Sequence, residues 1–303
     1  MTWSKEGRIF DPDGYRSEWM NSHAAVPVAE QIRGDRYRVY FSPRDGNNRS
    51  QIAFFEFSVN NPSRILEVSR RPVFTHGSLG SFDVAGVMTS WLVNLPEEKR
   101  MYYIGWNLGV DVPFRNALGL AVSSDNGKTF QRYFEGPILD RSPVDPAFVA
   151  SACVFHERGE WRMWYLSGLA WTRGRDGFQP RYHIKYAQSE NGISWERTGH
   201  VCIDFQDKAE YAISRPCVIK EKGIYRMWYS YRGASYRIGY AESNDGLAWV
   251  RKDNEAGIDV SSSGWDSEMI EYPFVFQHEK TKIMLYNGNG YGKTGIGYAV
   301  LYE

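Results

Sequence analysis

Acidic residues recur at one place in a repeating pattern: Glu18, Asp83, Asp145, Glu210, and Asp266 with Glu268. Glu271 follows a little further on, in Glu-Tyr-Pro. Asp83, Glu210, Glu268 and Glu271 are the candidate catalytic groups. A carboxyl moves protons at neutral pH once burial or a neighbouring charge has shifted its pKa. His23 and Arg215 stand on the same strands as these acids, and intervening loops add Arg44, Trp106, Arg115, Arg181, His183, Arg232, Asn287 and Asn289 as candidate substrate contacts. Trp171, Arg173, Arg175 and Tyr291 lie in the same loops. Guanidinium forks suit anions, and aromatic rings offer flat apolar faces with polar tips. The mixture fits a hydroxyl-rich ligand carrying some negative charge. A competing role exists for every repeated acid, which can cap a strand start or pair with a nearby arginine.

The elements that must position these groups are strands. RVYFS (38–42), MYYIG (101–105), MWYLS (163–167), MWYSY (227–231) and MLYNG (284–288) recur at intervals of roughly 60 residues. An apolar strand precedes each, and a loop and a third strand follow, as in HIKYAQS and RIGYAES. A fourth strand, such as TFQRYFEGPIL, completes the unit. Period-2 patterning and aromatic content mark these as strands. The expectation is all-β: a five-bladed β-propeller of four-stranded antiparallel blades. The blades fall at about 20–75, 84–139, 147–204, 211–260 and 268–303, in one domain spanning 1–303. The last blade lacks an outer strand, and GRIF (7–10) supplies it, closing the ring and protecting the sheet edge.

Between third and fourth strands lie SSDNGKTF, SENGISW and SNDGLAW. Their Asn-Gly and Asp-Gly pairs supply tight hairpin turns, so they read as scaffold. Strand alternation then puts the starts of the inner strands and the loops between second and third strands on one face. There they converge on the axis, and the candidate site residues meet in a funnel.

Composition narrows the function classes. The chain has 303 residues, equal numbers of acidic and basic groups, and 16% aromatic residues. Zero net charge removes the electrostatic case for nucleic acid or an anionic membrane. The three cysteines, Cys153, Cys202 and Cys217, have neither disulfide nor zinc spacing and read as buried small side chains. The opening MTWSKEGRIFDPDG has no apolar signal segment, which points to the cytoplasm. No metal-ligand spacing and no phosphate-binding glycine loop is present. Oligomeric state is not legible.

The segments SFDVAGVMTSW, RMWYLSG, HIKYAQSENGISW, ISRPCVIK, YRIGYAESNDGLAW, SEMIEYPFVF and YNGNGYGKTGIGYA carry a resemblance spanning nearly the whole chain. The chain resembles the five-bladed propellers of glycoside hydrolase families 32, 43 and 130, and the glycosidase-like proteins of polysaccharide-biosynthesis clusters. The resemblance implies a carbohydrate or sugar-conjugate ligand and carboxylate acid–base chemistry. Glu271-Tyr272-Pro273 is similar to the Glu-x-Pro of a family 43 acid. Trp19-Met20-Asn21 is similar to the family 32 nucleophile segment, but Ser22 and His23 follow where an aspartate would stand. On this reading Glu271 is the acid and Asp83 the base, with His23 and Arg215 holding substrate. Hydrolysis requires no cofactor. A family 130-like phosphorylase would use phosphate, and axial acids would accept Ca²⁺. A sugar-transferring or sugar-modifying enzyme and a non-catalytic sugar-binding propeller stand as alternatives.

Overall fold

A computed structural model describes residues 1–174 and 177–302. Every long element is a strand. The chain opens with β1 (Ser4–Phe10) and then forms five consecutive sets. Set one is β2 (Ser22–Arg33), β3 (Arg36–Arg44), β4 (Ala53–Ser58) and β5 (Asn61–Val68). Set two is β6 (Gly86–Asn94), β7 (Lys99–Leu108), β8 (Phe114–Ser123) and β9 (Gln131–Arg132). Set three is β10 (Phe148–Glu157), β11 (Glu160–Gly174), β12 (Gly177–Ser189) and β13 (Val201–Ile203). Set four is β14 (Ala212–Glu221), β15 (Ile224–Arg232), β16 (Tyr236–Ser243) and β17 (Val250–Arg251). Set five is β18 (Glu271–His278), β19 (Thr281–Asn287) and β20 (Ile296–Tyr302), and β1 pairs antiparallel with β20 as its fourth member. Within each set the strands pair antiparallel with their sequence neighbours. Among the described residues no helix is long and apolar enough to cross a membrane.

The second strand of each set has a buried central run, with strands of its own set flanking it on both edges. MWY of β11 and MWY of β15 are each wholly buried. The hairpins between third and fourth strands do what their sequences predict. Asp125, Asn191 and Asp245 each accept two backbone N–H groups of their own turn, at 2.8–3.0 Å. The turns also tie sets together. Tyr40, Tyr102 and Trp164 donate to the carbonyls of Gly127, Gly192 and Gly246 in the following set.

The first strand of every set carries a bulge. Register slips between Ala25 and Val28, Thr89 and Trp91, Ala150 and Ala152, Ser214 and Cys217, and Glu271 and Phe274. Val26, Ser151, Arg215 and Tyr272 sit at these slips with φ of 54°, 42°, 53° and 55°. Left-handed backbone at such residues costs on the order of 1–3 kcal/mol each. Three of the four precede a proline, which removes an N–H that the interrupted ladder could not satisfy. The bulges turn side chains inward and expose backbone donors, and neighbouring sets fill them. Asn287 Oδ1 accepts from Val26 N at 2.8 Å, joining set five to set one. Ser42 Oγ accepts from Thr89 N at 3.0 Å, and Ser90 Oγ from Ala152 N at 2.6 Å. Cys153 Sγ accepts from Val218 N at 3.4 Å, and Cys217 Sγ from Val275 N at 3.1 Å. Two of the three cysteines are therefore buried hydrogen-bond acceptors.

Replacing Cys217 by Ala should strand the buried Val275 N–H and lower stability by about 1–3 kcal/mol. Cys217→Ser, which keeps an acceptor, should recover most of it. Urea unfolding measures both; equal losses would mean that side-chain volume alone matters.

Candidate functional site

The repeated acids resolve first, because their surroundings are scaffold. Asp83 is wholly buried and bound to Arg132 at 2.6 Å, with the Tyr103 hydroxyl at 3.2 Å and Ser81 Oγ at 2.8 Å. Asp145 meets Arg197 at 2.8 Å and the Tyr165 hydroxyl at 3.1 Å. Asp266 meets Lys5 at 2.6 Å and the Tyr286 hydroxyl at 3.0 Å. In all three the tyrosine is the repeated one, and the cation comes from the outer strand or its flank. Glu210 follows a variant: Arg251 binds it at 2.7 Å and also holds Asp253 at 2.6 Å, which receives the Tyr229 hydroxyl. Asp83 and Glu210 thus lock first strands to fourth strands and lie outside the cavity wall. Glu268 is exposed; Asn289 holds its backbone N–H, and Arg237 holds its carbonyl.

Several expected ligand contacts are also fastened inside the protein. Arg215 is 0% exposed and extends to carbonyls of two other sets, Pro27 at 2.8 Å and Ser90. It has no carboxylate partner among the described residues. Burial pushes its pKa down to about 10. Asn287 spends its amide on Ala24 and Gly295 carbonyls and on the Val26 N–H. Asn289 organises the loop before β18. His183 bonds Asp204 at 3.0 Å and lies on the opposite side of β12 from its neighbour Tyr182; burial lowers its pKa, and Asp204 opposes the shift. Arg181 lies over Phe205, and Arg115 pairs with Asp111 within its loop. Arg175 falls outside the described residues.

What converges is a cavity of about 600 Å³ to which all five first strands contribute, with the loops between second and third strands. Of the expected contacts, Arg44, Trp106 and Arg232 line it. His23 stands close to Arg44 and Lys293; burial first, then these two cations, push its pKa down to about 4, so it is neutral at physiological pH. Tyr182, Tyr236 and Tyr272 also line the cavity and were not singled out by sequence. Tyr182 and Tyr236 hold equivalent positions in third strands, Tyr-His-Ile-Lys-Tyr-Ala and Tyr-Arg-Ile-Gly-Tyr-Ala, and their hydroxyls touch. Aligning the repeats at that position would have found them.

Glu271 lies behind this wall, 0% exposed, amid Tyr182, Tyr236, Tyr272, Tyr291 and Arg232. Neither carboxyl oxygen has a hydrogen-bond partner among the described residues. Burial pushes its pKa well above the usual carboxylate range, and Arg232 and Tyr272 oppose the shift without cancelling it. Arg232 donates to the Tyr291 hydroxyl at 2.7 Å and lies over the Tyr211 and Tyr236 rings, yet its Nε is unpartnered. Ser214 Oγ, also at the cavity, is unpartnered too. Buried polar groups are nearly always satisfied, so three unpartnered side chains grouped here, Glu271, Arg232 and Ser214, stand out among the described residues. No carboxylate is among the residues lining the cavity; Glu271 is the one that lies close behind lining residues, Arg232 and Tyr272. Those residues contain no group of three or more His, Cys, Asp or Glu placed to hold a metal.

No family model matches the chain. Two Mycobacterium tuberculosis proteins, "Uncharacterized protein MT1551" of strain CDC 1551 / Oshkosh and "Uncharacterized protein Rv1502" of strain ATCC 25618 / H37Rv, are each 44% identical over 301 residues, covering 99% of both chains. Among solved structures, a complex of BT0996 with RGII superposes with a TM-score of 0.77 at 17% identity, over 99% of this chain and 92% of that one. A thermostable family-43 glycoside hydrolase gives 0.68 at 16% identity, over 94% and 92%. A structure from the GH130 family, described as mannoside phosphorylases containing glycoside hydrolases that target β-1,2 mannosidic linkages in Candida mannan, gives 0.65 at 15% identity, over 94% and 85%. What the chain shares with these solved structures is the fold.

The raised pKa of Glu271 has a stability consequence. Its folded pKa exceeds its unfolded one, so its contribution is fully present below the unfolded pKa, about 4.3, and declines as pH rises toward the folded value. Between pH 5 and 8 wild type should lose stability that Glu271→Gln does not lose. Parallel unfolding curves for the two proteins across that range would refute a buried protonated carboxyl.

Proposed function

The chain belongs to one family with the Mycobacterium tuberculosis proteins MT1551 and Rv1502, and for this chain we propose a carbohydrate-active enzyme that uses Glu271 as its single protein acid. The scaffold is read as a five-bladed propeller with β1 closing the ring. The five strand sets, the five inter-set hydrogen bonds and the β1–β20 pairing support that reading. One observation carries the chemistry: a buried carboxyl with no hydrogen-bond partner among the described residues, its pKa raised by burial, behind a cavity wall that also bears Arg44 and Arg232.

Two-carboxylate hydrolysis needs a second acid near the first. Asp83 and Glu210 are ion-paired elsewhere. The arrangement fits a reaction whose nucleophile is itself an anion held by arginine, and inorganic phosphate is the candidate. Glu271 gives its proton to the glycosidic oxygen as the bond to the anomeric carbon breaks. A phosphate oxygen attacks that carbon, yielding a sugar phosphate and a free hydroxyl. The proton that phosphate loses restores Glu271. Guanidinium groups hold the phosphate bidentately, and the tyrosines hold sugar hydroxyls.

Turnover of oligosaccharides by the purified protein should depend on added phosphate and release sugar 1-phosphate. Glu271→Gln should lower kcat by about 10²–10⁴-fold and leave sugar binding near wild type. Asp83→Asn should instead lower stability by about 3 kcal/mol, by breaking a buried pair, with kcat retained in the folded protein. Phosphate-independent turnover would return the assignment to hydrolysis. Sugar binding without any turnover would favour a non-catalytic propeller.

A further inference from the structure

The cavity is chemically lopsided. Sets four, five and one supply its polar side: Arg232, Tyr236, Tyr272, Tyr291 and Arg44, with Glu271 behind. Sets two and three supply a side that is chiefly apolar, through Met88, Ile104, Phe114, Phe148, Leu166 and Trp171. Phe114, Phe148 and Trp171 form one aromatic cluster across the boundary between the two sets, with ring centres 4.9–6.0 Å apart. This surface does not stop at the cavity. Leu108 and Phe178, both lining residues, are 73% and 42% exposed, and Val110 in the same loop as Leu108 is fully exposed. Phe178 stands on the long hairpin of β11 and β12, which extends beyond the neighbouring strands. An apolar track therefore leads from the cavity to solvent on this side.

A free polysaccharide would not need this. Its sugar units are polar at every edge and use isolated aromatic platforms. A continuous apolar wall opposite an anion- and hydroxyl-binding wall complements a molecule with two unlike ends. We propose that the substrate is an amphipathic glycoconjugate: a sugar head facing Glu271 and the arginines, and an apolar aglycone lying on the Phe114–Trp171–Phe178–Leu108 track. The inference rests on the proposed function for the placement of the head, and on the apolar wall alone for the aglycone.

Alkyl phosphates separate the two parts. Affinities of inorganic phosphate, methyl phosphate, butyl phosphate and octyl phosphate are measured by calorimetry, below the micellar concentration. Octyl phosphate should bind at least about tenfold tighter than methyl phosphate, with butyl phosphate between them. A Leu108→Ser, Phe178→Ser double variant, at two exposed positions, should bring the octyl-to-methyl ratio toward one without changing methyl phosphate affinity. Phenyl phosphate identifies the source of the apolar group: a gain over methyl equal to that of octyl points to an aryl aglycone, a smaller gain to a hydrocarbon chain. A ratio near one, a ratio the double variant leaves intact, or no binding of octyl phosphate at millimolar concentration overturns the aglycone track. A change of oligomeric state in the double variant assigns the rim to a subunit contact, with the same effect. Arg232→Gln distinguishes failure of the functional reading: unchanged methyl phosphate affinity removes the anion site, while a surviving chain-length ratio keeps the apolar track.

Discussion

The structure depends on a conflict between the first strands of its five sets. Each must lie beside two others, yet they splay and cannot continue a backbone ladder into one another. A bulge in each strand resolves this. It sacrifices local ladder bonds and accepts left-handed backbone at Val26, Ser151, Arg215 and Tyr272. In return it aims side chains inward and presents free N–H groups sideways. Ser42, Ser90, Cys153, Cys217 and Asn287 take up those donors, each across a different set boundary. Arg215 adds a further tie to the carbonyls of sets one and two. Buried donors without acceptors would cost roughly 1–3 kcal/mol apiece, so these small side chains decide whether the centre is stable.

The same centre explains why acids of one type behave differently. Asp83, Asp145, Glu210 and Asp266 each have an arginine or lysine within 2.8 Å. Such a carboxylate is ion-paired and fastens one strand to another. Glu271 has no partner bonded to it, and its environment is four tyrosines and one arginine that is already bonded to Tyr291. Burial without a counter-charge favours the neutral acid. Periodicity therefore separates paired from unpaired acids: the paired acids repeat from set to set, and Glu271, unpartnered among the described residues, does not.

Much of the fold was legible because strand patterning, the repeated tyrosines and the Asp-Gly and Asn-Gly turns are local signals. The pairing of β1 with β20 was legible from a count of strands. Individual site residues were less so. Asp83 and Glu210 have the right type and the right place in the repeat, but whether an acid is free depends on Arg132 and Arg251, which lie 49 and 41 residues away. Asn287 resembles a ligand contact in sequence because nothing local reveals the bulge at Val26, 261 residues distant, whose N–H it satisfies. Tyr182 and Tyr236 were hidden differently. In a chain with 20 tyrosines, a tyrosine at a strand start draws no attention until third strands are compared across sets.

A repeat architecture makes equivalent positions comparable, and the comparison shows where equivalence fails. The residue just before each bulge is Ala25, Thr89, Ala150, Ser214 or Glu271. Four are small and fit the crowded centre. The fifth is a long acid, and it alone brings a titratable group to that level. Equivalent positions in the third strands diverge too: Tyr182 and Tyr236 in sets three and four correspond to Asn116 in set two, and all three line the cavity. Around one approximate symmetry the chain has placed an acid and its tyrosines on one flank and an aromatic cluster on the other. A symmetric scaffold cannot by itself distinguish two ends of a ligand. Unequal substitution at equivalent positions can, and here it divides a single cavity into a polar half and an apolar half.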